Sequence, residues 1–356
     1  MKSPHGTPTM AEVAAAAGVS QQTVSRVLNH HPSVSPKTNK KVLAAIELLN
    51  YRPNPAARAL ATGTSRTIGV LASTTSLSGP AGALLGIEQT ARSRGYWVSM
   101  AGLQTDQPQE VADVISHFLA QGVDGIISIA QTQGALDATL TACGSMPTVL
   151  VTSGKFGGDH SALDIDQASG VRQAMNLLRG LGHRRIAHIT GPVDDLHANV
   201  RADTWRSCLP PEQPADELCL AGDWSAISGY NATMALLASY VPPTAILAGN
   251  DLMAFGVLRA LNECGLRVPR DMSVVGYDDI EGSDCSIPPL TTIRQNHSAL
   301  GVAAMELLLE AIDNQPARLL GIPTKLVVRA STSLPSQSEV AMNAVLGLAQ
   351  SSSFVS

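Results

Sequence analysis

The chain has 356 residues, of which 44% are hydrophobic and only 3% aromatic, so it can bury the mainly aliphatic cores of two or three domains. Its five cysteines are widely spread without CxxC spacing, which excludes a disulfide framework and a zinc site. No apolar run approaches the about 20 residues that span a bilayer, and the first residues lack a secretory signal, so we expect a cytoplasmic protein with no membrane partner.

The net charge of −5 is unevenly distributed. Residues 1–62 carry seven Lys and Arg against Glu12 and Glu47, a net charge of +5, which leaves −10 for the remainder. A basic head on an acidic body indicates that the head binds a polyanion and that the body has a different function. By charge alone, a merely solvated face is an equally good interpretation.

The head begins with two short helical patterns. Apolar residues follow helical spacing after Thr9, an expected N-cap, and the pattern stops at Gly18. Ser20 is the expected N-cap of a second helix whose inward face carries Val24 and Val27. The opposite face of that helix is entirely polar.

A third helix completes the head. Ser35 and Pro36 provide its N-cap and first-turn proline, and Val42 and Leu49 face the other two helices. We predict a helix-turn-helix DNA-binding headpiece over residues 1–53. A small helical bundle that packs against the rest of the protein is the alternative.

The polar face of the second helix is the predicted DNA-reading surface. In a helix-turn-helix this helix lies in the major groove, where glutamine pairs with adenine edges and arginine with guanine edges. Gln21, Gln22 and Arg26 are therefore the candidate base readers. The full predicted set of contacts in the headpiece is Gln21, Gln22, Thr23, Ser25, Arg26 and Asn29.

Residues 54–65 form the predicted hinge helix and linker. Asn54 and Pro55 suit a helix start and Gly63 a helix end, and a helix of about two turns is marginal alone in water. DNA can order such a segment, and Leu60 would then act as an apolar wedge in a minor-groove step. A plain linker is the alternative for Leu60.

From Thr67 onward, strand-like apolar runs alternate with helical patterns: TIGVLAS, YWVSM, GIISIA, TVLVTS, RIAHITG, TAILAG and MSVVGY. This order predicts an α/β fold with two doubly wound parallel-sheet lobes, similar to periplasmic binding proteins, and a ligand cleft between them. The predicted sugar-binding and dimerisation core covers residues 66–334, with an N-lobe of about 66–165 and 296–325 and a C-lobe of about 166–295 and 326–334.

Polar side chains follow several predicted strands, namely Asn250, Asp251, Asp278, Asp279 and Arg201. We expect them at the mouth of the cleft rather than in a core. Amide, carboxylate and guanidinium groups bridge vicinal hydroxyls, and Trp224 offers a flat face for a sugar ring. The alternatives are a helix cap for the aspartates, a surface ion pair for Arg201 and a core position for Trp224.

Several stretches resemble the LacI/GalR family of bacterial repressors: TVSRVLN, VSPKT and LNYRPNPAARAL, and further along AGDWSAISGY, PTAILAGNDLMAFGVLRAL and MSVVGYDDIEGSDCSIPPLTTIRQ. The resemblance runs from about Thr9 to Leu334. It implies that the family's sugar contacts fall on Arg201, Trp224, Asn250 and Asp278, with Gln295 retained.

The family member that the chain resembles most differs from it at several positions. That member has aspartate in place of Thr152, serine in place of His197, phenylalanine in place of Ile165 and His297, isoleucine in place of Ala83 and tyrosine in place of Gln21. The preferred sugar and operator are therefore expected to be related to those of that member rather than identical. The predicted sugar site comprises Arg201, Trp224, Asn250, Asp278, Gln295, His297, Thr152 and His197.

The sequence predicts no enzyme, no metal site and no cofactor. The spacing of His183, His188 and His197 suits no common set of metal ligands. No phosphate-binding glycine loop, GxSxG elbow or HExxH helix is present, and the Asp278-Asp279 pair has no evident acid partner.

Residues 335–356 carry an apolar helical stripe of roughly two to three turns, which predicts a weak oligomerisation helix. A tetramer is left open. A homodimer is predicted because a helix-turn-helix that reads a pseudo-palindrome needs two heads related by a two-fold axis. The resemblance implies that Cys285 and Ser286 lie in the dimer interface.

These features predict a transcriptional repressor of a sugar-utilisation operon. Its partners would be double-stranded operator DNA and a small saccharide, a galactoside by resemblance, which releases it from the operator. One alternative is a regulator of the same family that responds to another sugar or to a nucleobase co-repressor. The other is a sugar-binding transport receptor, which would need an export signal and would lack the basic head.

Overall fold

The computed structural model describes residues 8–29, 31–52, 59, 63–73, 78–105, 107–154, 158–239 and 241–336. Its internal contacts divide the chain into two compact units, Met1–Arg66 and Thr67–Ser356, called the head and the body below. Leu60, most of the predicted hinge and nearly all of the predicted tail lie outside the described residues.

The head contains the helices α1 (Met10–Ala17), α2 (Gln21–Leu28) and α3 (Pro36–Leu48). Each starts at its predicted cap. Thr9 Oγ1 accepts the Glu12 N–H at 3.3 Å, and the Glu12 carboxylate accepts the Thr9 N–H at 2.7 Å. Ser20 and Ser35 each accept a first-turn N–H at 3.2 Å, and Gly18 ends α1 with a φ of 66°. The predicted helix starts are therefore confirmed.

Side chains from all three helices form one core in the head. Val13, Val24 and Val42 are fully buried, and Val27 and Ala45 are nearly so. Full burial of a valine side chain contributes about 1.5–3 kcal/mol, so this small cluster holds three short helices together. The apolar positions predicted for the three-helix core are confirmed.

The described body contains two six-stranded sheets. The first has the order β11-β5-β4-β3-β1-β2, and all of its pairings are parallel. Its strands are β1 (Thr67–Ser73), β2 (Trp97–Leu103), β3 (Gly125–Ile129), β4 (Thr148–Val151), β5 (Ser161–Ile165) and β11 (Leu319–Ile322).

The second sheet has the order β12-β10-β9-β8-β6-β7 and is parallel except where β12 runs antiparallel to β10. Its strands are β6 (Ile186–Thr190), β7 (Cys219–Ala221), β8 (Ala245–Ala248), β9 (Ser273–Asp278), β10 (Thr291–Arg294) and β12 (Lys325–Val327). Central strands such as β3 and β8 are buried along their whole length, which is why they are continuous apolar runs.

Helices cover these sheets and complete two lobes. The first lobe adds α4 (Ser78–Ser93), α5 (Pro108–Gln121), α6 (Gln133–Cys143) and α12 (His297–Ile312). The second lobe adds α7 (Gln167–Gly180), α8 (Leu196–Cys208), α9 (Ala215–Leu218), α10 (Ala226–Leu237) and α11 (Asp251–Glu263). Each lobe has its own apolar core, and the predicted pair of doubly wound lobes is confirmed.

In the described residues the backbone passes between the lobes three times. The crossings are residue 166 between β5 and α7, residues 295–296 between β10 and α12, and residues 323–324 between β11 and β12. Hydrogen bonds join the first crossing to the third, because Thr324 Oγ1 donates to Asp166 O at 3.1 Å and Asp166 N donates to Ile322 O at 2.9 Å.

Helices α4 and α12 of the first lobe pack with their backbones almost in contact. A Cβ atom at Gly301 would lie 2.1 Å from Ala83 O, and one at Gly86 would lie 2.6 Å from Ser298 O. Glycine is therefore required at both positions. This close packing sets Ala83 of α4 beside the start of α12, where His297 lies.

Candidate functional site

A cavity of about 450 Å³ lies between the two lobes. It opens at the carboxyl ends of the strands, where parallel sheets bring loop residues together. All eight residues of the predicted sugar site line it: Thr152, His197, Arg201, Trp224, Asn250, Asp278, Gln295 and His297. Ala83 and Ile165, two of the positions that differ from the family member, line it as well.

Arg201 of α8 is the centre of the second-lobe wall. Its side chain is 6% exposed, its Nε donates to Gln167 Oε1 at 2.9 Å, and its Nη1 donates to Gly249 O. Its Cζ lies 3.8 Å from the ring centroid of Tyr277 and 5.4 Å from that of Trp224. The guanidinium is therefore fixed in place, with two aromatic rings beneath it.

Asp278 lies at the end of β9, with Oδ1 3.8 Å from Arg201 Nη2. That gap is too long for a hydrogen bond, so both groups can bond to a hydroxyl that enters between them. Burial raises the pKa of Asp278 to about 7, although the Arg201 charge opposes the increase. Gln295 Nε2 donates to the same carboxylate at 2.5 Å, and Gln167 Nε2 donates to Gln295 Oε1 at 3.1 Å.

Trp224 owes its position to unusual backbone geometry. Its φ is 71°, a left-handed conformation that a tryptophan rarely adopts and that costs on the order of 1–3 kcal/mol. A Cβ atom at Gly191 would lie 2.1 Å from the indole, so only glycine leaves room for the ring. Asn250 Nδ2 donates to Trp224 O at 3.0 Å, while its Oδ1 caps α11. Asn250 thus caps a helix and lines the cavity at the same time.

A hydrogen-bonded chain joins the two lobes beside the cavity. Ser153 Oγ of the first lobe lies 2.6 Å from His197 Nδ1 of the second and donates to Asp164 Oδ1 at 2.5 Å. Burial raises the pKa of Asp164 to about 6 and lowers the pKa of His197. The structure thus adds Ser153 and Asp164, and also Gln167, to the residues that sequence reasoning identified.

The first-lobe wall is mostly apolar, with Ile129, Val151 and Leu300 among its lining residues. Its polar lining residues include Gln131, Thr152 and His297. Thr152 Oγ1 and His297 Nε2 are buried and have no hydrogen-bond partner among the described residues. Burial, together with the charges of Arg201 and His197, lowers the pKa of His297 to about 4, so its imidazole is neutral at physiological pH.

Two of the aspartates that follow strands do not reach the cavity. Asp251 is fully buried and accepts hydrogen bonds from Thr292 Oγ1 at 2.6 Å and from Ser283 Oγ at 2.7 Å. Asp279 pairs instead with arginines, at 2.7 Å to Arg329. The prediction that Asp251 and Asp279 lie at the mouth of the cleft is wrong. The loop after β9 folds back over Asp251, and ion pairs with Arg294 and Arg329 hold Asp279.

The head presents the predicted reading face on α2. Gln21, Gln22, Arg26 and Asn29 are exposed, while Thr23 and Ser25 are half-buried. Thr23 Oγ1 lies 2.9 Å from Ser20 Oγ at the helix start. Asn29 Nδ2 donates to Ser25 Oγ at 3.5 Å, while the exposed side chains of Gln21, Gln22 and Arg26 face solvent.

Comparisons with known proteins match these two units. The family model "Bacterial regulatory proteins, lacI family" matches residues 9–54, and the model "Periplasmic binding protein-like domain" matches residues 175–332. The lactose operon repressor of Escherichia coli (strain K12) is 38% identical over 332 residues, which cover 92% of this chain and 91% of that protein. The chain belongs to the lacI family.

Other lacI family relatives extend over most of the chain. The ribose operon repressor of Escherichia coli (strain K12) is 34% identical, over 85% of this chain and 93% of its own. The transcriptional repressor PurR of Haemophilus influenzae (strain PittEE) is 33% identical, over 91% of this chain and 98% of its own. The chain is thus a DNA-binding transcriptional regulator rather than an enzyme.

Solved lacI family structures share the fold. A Lac repressor dimer bound to operator and the anti-inducer ONPF has a TM-score of 0.84 at 36% identity, covering 92% of this chain and 99% of that chain. The regulator CelR in complex with cellobiose has a TM-score of 0.67 at 32% identity, and the match covers 91% of this chain and 99% of that chain. Within the described residues, no helix is long and apolar enough to cross a membrane.

Proposed function

We propose that this lacI family protein represses a sugar-utilisation operon and is released from its operator when a saccharide binds the cavity. The observation that carries the proposal is the arrangement of Arg201 over two aromatic rings, 3.8 Å from Asp278. A guanidinium and a carboxylate bridge vicinal hydroxyls, and Trp224 offers an apolar face to a pyranose ring. Galactosides are the first class to test, since the lactose operon repressor is 38% identical.

The charges of the cavity favour a neutral ligand. Of the described residues that line it, Arg201 is the one cation, while Asp195, Asp223 and Asp278 carry carboxyl groups. A sugar phosphate or a uronic acid would meet more negative than positive charge in a partly closed space. This supports an uncharged sugar as the effector.

The proposed DNA contacts are the six headpiece residues on and beside α2, with Leu60 in the hinge. Gln21, Gln22 and Arg26 would read base edges in the major groove. We assign residues 1–53 to the headpiece, 54–65 to the hinge, 66–334 to the effector core and 335–356 to the tail. A regulator of transcription acts where the chromosome is, so the proposed location is the cytoplasm.

A homodimer is proposed because the body exposes large apolar side chains. Ile287 is 93% exposed, Trp97 72% and Met100 62%. These side chains are candidates for a contact between copies, and the solved Lac repressor dimer, 36% identical, supports a dimer. Cys285 and Ser286 adjoin Ile287 and are proposed to lie in the contact, as the resemblance implies. The proposal includes a dimer and leaves a tetramer open.

Sugar and operator would then act as competing ligands of two lobe arrangements. A saccharide that binds both lobes favours one arrangement, and the operator, through the ordered hinges, favours the other. A coupling free energy of about 3 kcal/mol would weaken operator binding roughly 150-fold, which is sufficient for a genetic switch.

A nucleobase co-repressor is the second candidate. It is favoured by the 33% identity to PurR and by the amide side chains of Asn250 and Gln167, which line the cavity beside Trp224. The two candidates predict opposite signs, because a co-repressor tightens operator binding and an inducer weakens it.

The test is a mobility shift with the full-length protein and operator-like DNA that it selects from a random library. The complex is challenged separately with lactose, allolactose, melibiose, galactose, glucose and hypoxanthine. We expect release by a galactoside. Tighter binding with hypoxanthine would replace the proposal by the nucleobase candidate, and indifference to all six would refute the assigned class of effectors.

A further inference from the structure

Gln167 is the first residue of α7 and comes directly after the first crossing between the lobes. The residue is only 2% exposed, and Tyr277 donates its hydroxyl proton to the backbone carbonyl of Gln167 at 3.3 Å. Its side-chain amide lies between Arg201 and Gln295, with His197 Nδ1 3.5 Å from its Nε2. This buried amide therefore connects two residues of the predicted sugar site, although it was not predicted to be one of them.

The arginine at one end fixes the direction of every hydrogen bond in this group. Arg201 can only donate, so the atom 2.9 Å from its Nε is the Gln167 oxygen. The Gln167 nitrogen therefore faces Gln295, which accepts with its own oxygen at 3.1 Å. That arrangement leaves Gln295 Nε2 to donate to Asp278 Oδ1 at 2.5 Å. The four side chains form an amide relay with a single polarity, from the guanidinium of Arg201 to the carboxylate of Asp278.

The last bond of the amide relay favours the ionised form of Asp278. Burial has the largest influence on this carboxyl group and raises its pKa to about 7, and the Arg201 charge opposes the increase. The carboxyl groups of Asp251 and Asp195 favour the protonated form, whereas the N–H donated by Gln295 favours the ionised form. An oxygen in place of that N–H would act in the opposite direction.

We propose that Gln167 is a positioning residue of the effector site, which fixes the Arg201 guanidinium directly and, through Gln295, turns a donor rather than an oxygen towards Asp278. That Arg201 and Asp278 bind the effector rests on the proposed function, whereas the relay between them does not. One buried amide beside the connection between the lobes then sets the orientation of both charged groups.

The variant Gln167→Glu tests the polarity of the relay, because it exchanges one nitrogen for oxygen and keeps the shape of the side chain. Its carboxylate still accepts the Arg201 N–H but cannot donate to Gln295, whose amide then turns its oxygen towards Asp278. We expect the acidity constant of Asp278 to fall at least about tenfold. Carbon-13 NMR of the effector-free, full-length protein with labelled aspartate carboxyl groups measures this constant, and Asp278→Asn assigns the signal.

The matched control is Gln173→Glu, on the same helix. Gln173 Nε2 donates to Thr324 O at 3.2 Å, its Oε1 accepts the Leu326 N–H at 3.0 Å, and it is not among the described residues that line the cavity. This variant makes the same exchange of nitrogen for oxygen outside the relay. It should leave the acidity constant of Asp278 unchanged.

Gln295→Met separates the relay from the effect of an added charge. On its own it should lower the acidity constant of Asp278, because it removes the donor, and no change would overturn the relay even if Gln167→Glu does not fold. In the Gln295→Met background, Gln167→Glu should change the constant much less than it does in the wild-type background. An equal fall in both backgrounds would show that the charge acts alone, and would also overturn the relay.

Calorimetric titration with the galactoside that the wild-type protein binds most tightly measures the consequence for the effector. A tenfold lower acidity constant reduces the ionised fraction of Asp278 at pH 7 from roughly 50% to roughly 9%. Gln167→Glu should therefore bind about fivefold more weakly at pH 7 and about equally at pH 9. A purely structural role of Gln167 would weaken binding at both pH values.

The outcomes separate the relay from the proposed function. An unchanged acidity constant of Asp278 in Gln167→Glu would overturn the relay and leave the sugar-responsive repressor in place. A lower constant, in a protein whose wild-type form binds no galactoside, would support the relay and refute the galactoside response.

Discussion

Inducer binding should tighten about tenfold when the pH is raised from 6 to 8. Burial raises the pKa of Asp278 to about 7, so the carboxyl group is mostly protonated at pH 6 and mostly ionised at pH 8. The ionised form accepts charge-assisted hydrogen bonds from sugar hydroxyls, which are about twice as strong as neutral ones. If the sugar selects that form, affinity is retained above pH 7 and lost as the pH falls below it.

The magnitude follows from the fraction of ionised Asp278. With a pKa of about 7 that fraction rises from roughly 9% at pH 6 to roughly 91% at pH 8, a tenfold gain worth about 1.4 kcal/mol. The neighbouring His297, with a pKa of about 4, stays neutral throughout this range. Asp164, with a pKa of about 6, completes most of its ionisation below pH 7.

Calorimetric titration with the tightest galactoside at pH 6, 7 and 8 measures this effect. Asp278→Asn should bind more weakly and show no rise in affinity between pH 7 and 8. Asp164→Asn serves as the control and should keep that rise. A pH-independent affinity in the wild-type protein, or an undiminished rise in Asp278→Asn, would refute the assignment of this carboxylate as a sugar contact.

Three further predictions concern the cavity, the hinge and the packing of α4 on α12. Arg201→Leu removes the guanidinium proposed to bond to the sugar. A hydrogen bond to a charged group contributes about 1.5–3 kcal/mol, so release from operator DNA should need at least about tenfold more sugar while DNA affinity is retained. Release at the wild-type sugar concentration would show that the cavity is misassigned. Leu60→Gly removes the proposed wedge and should weaken operator binding at least tenfold by fluorescence anisotropy, and undiminished affinity would exclude that role. Gly301→Ala should lower the free energy of unfolding by about 1–3 kcal/mol in urea titrations, because its Cβ would lie 2.1 Å from Ala83 O, whereas Gly180→Ala, with no atom within 4 Å, should not.

The head could be predicted from the sequence because its signals are local. Thr9 and Glu12 cap each other across three residues, and Ser20 and Ser35 each bond to the third residue after them. The cavity residues of the second lobe could be predicted for a different reason. Asn250 and Asp278 lie at the carboxyl ends of neighbouring parallel strands, which meet at one edge of the sheet.

The residues that sequence reasoning missed depend on contacts between distant parts of the chain. Gln167 meets Gln295 across 128 positions, and Ser153 meets His197 across 44. Asp251 was misplaced for the same reason, since one of its hydrogen-bond donors is Thr292, 41 positions away. The sequence nevertheless contained an indication for Gln167. It comes just after β5, in the same way that Asn250 comes just after β8.

The three crossings between the lobes place part of the cavity at the joint itself. Gln295 lies on the second crossing, and Gln167, its partner at 3.1 Å, directly follows the first. Asp166 of the first crossing bonds in turn to Thr324 of the third, so the three connecting segments form one hydrogen-bonded bundle. A ligand that takes over a bond of Gln295 or Gln167 would therefore act directly on that hydrogen-bonded bundle. Under the proposed function, the effector would bias the arrangement of the lobes through the segments that connect them, without a relay through either lobe.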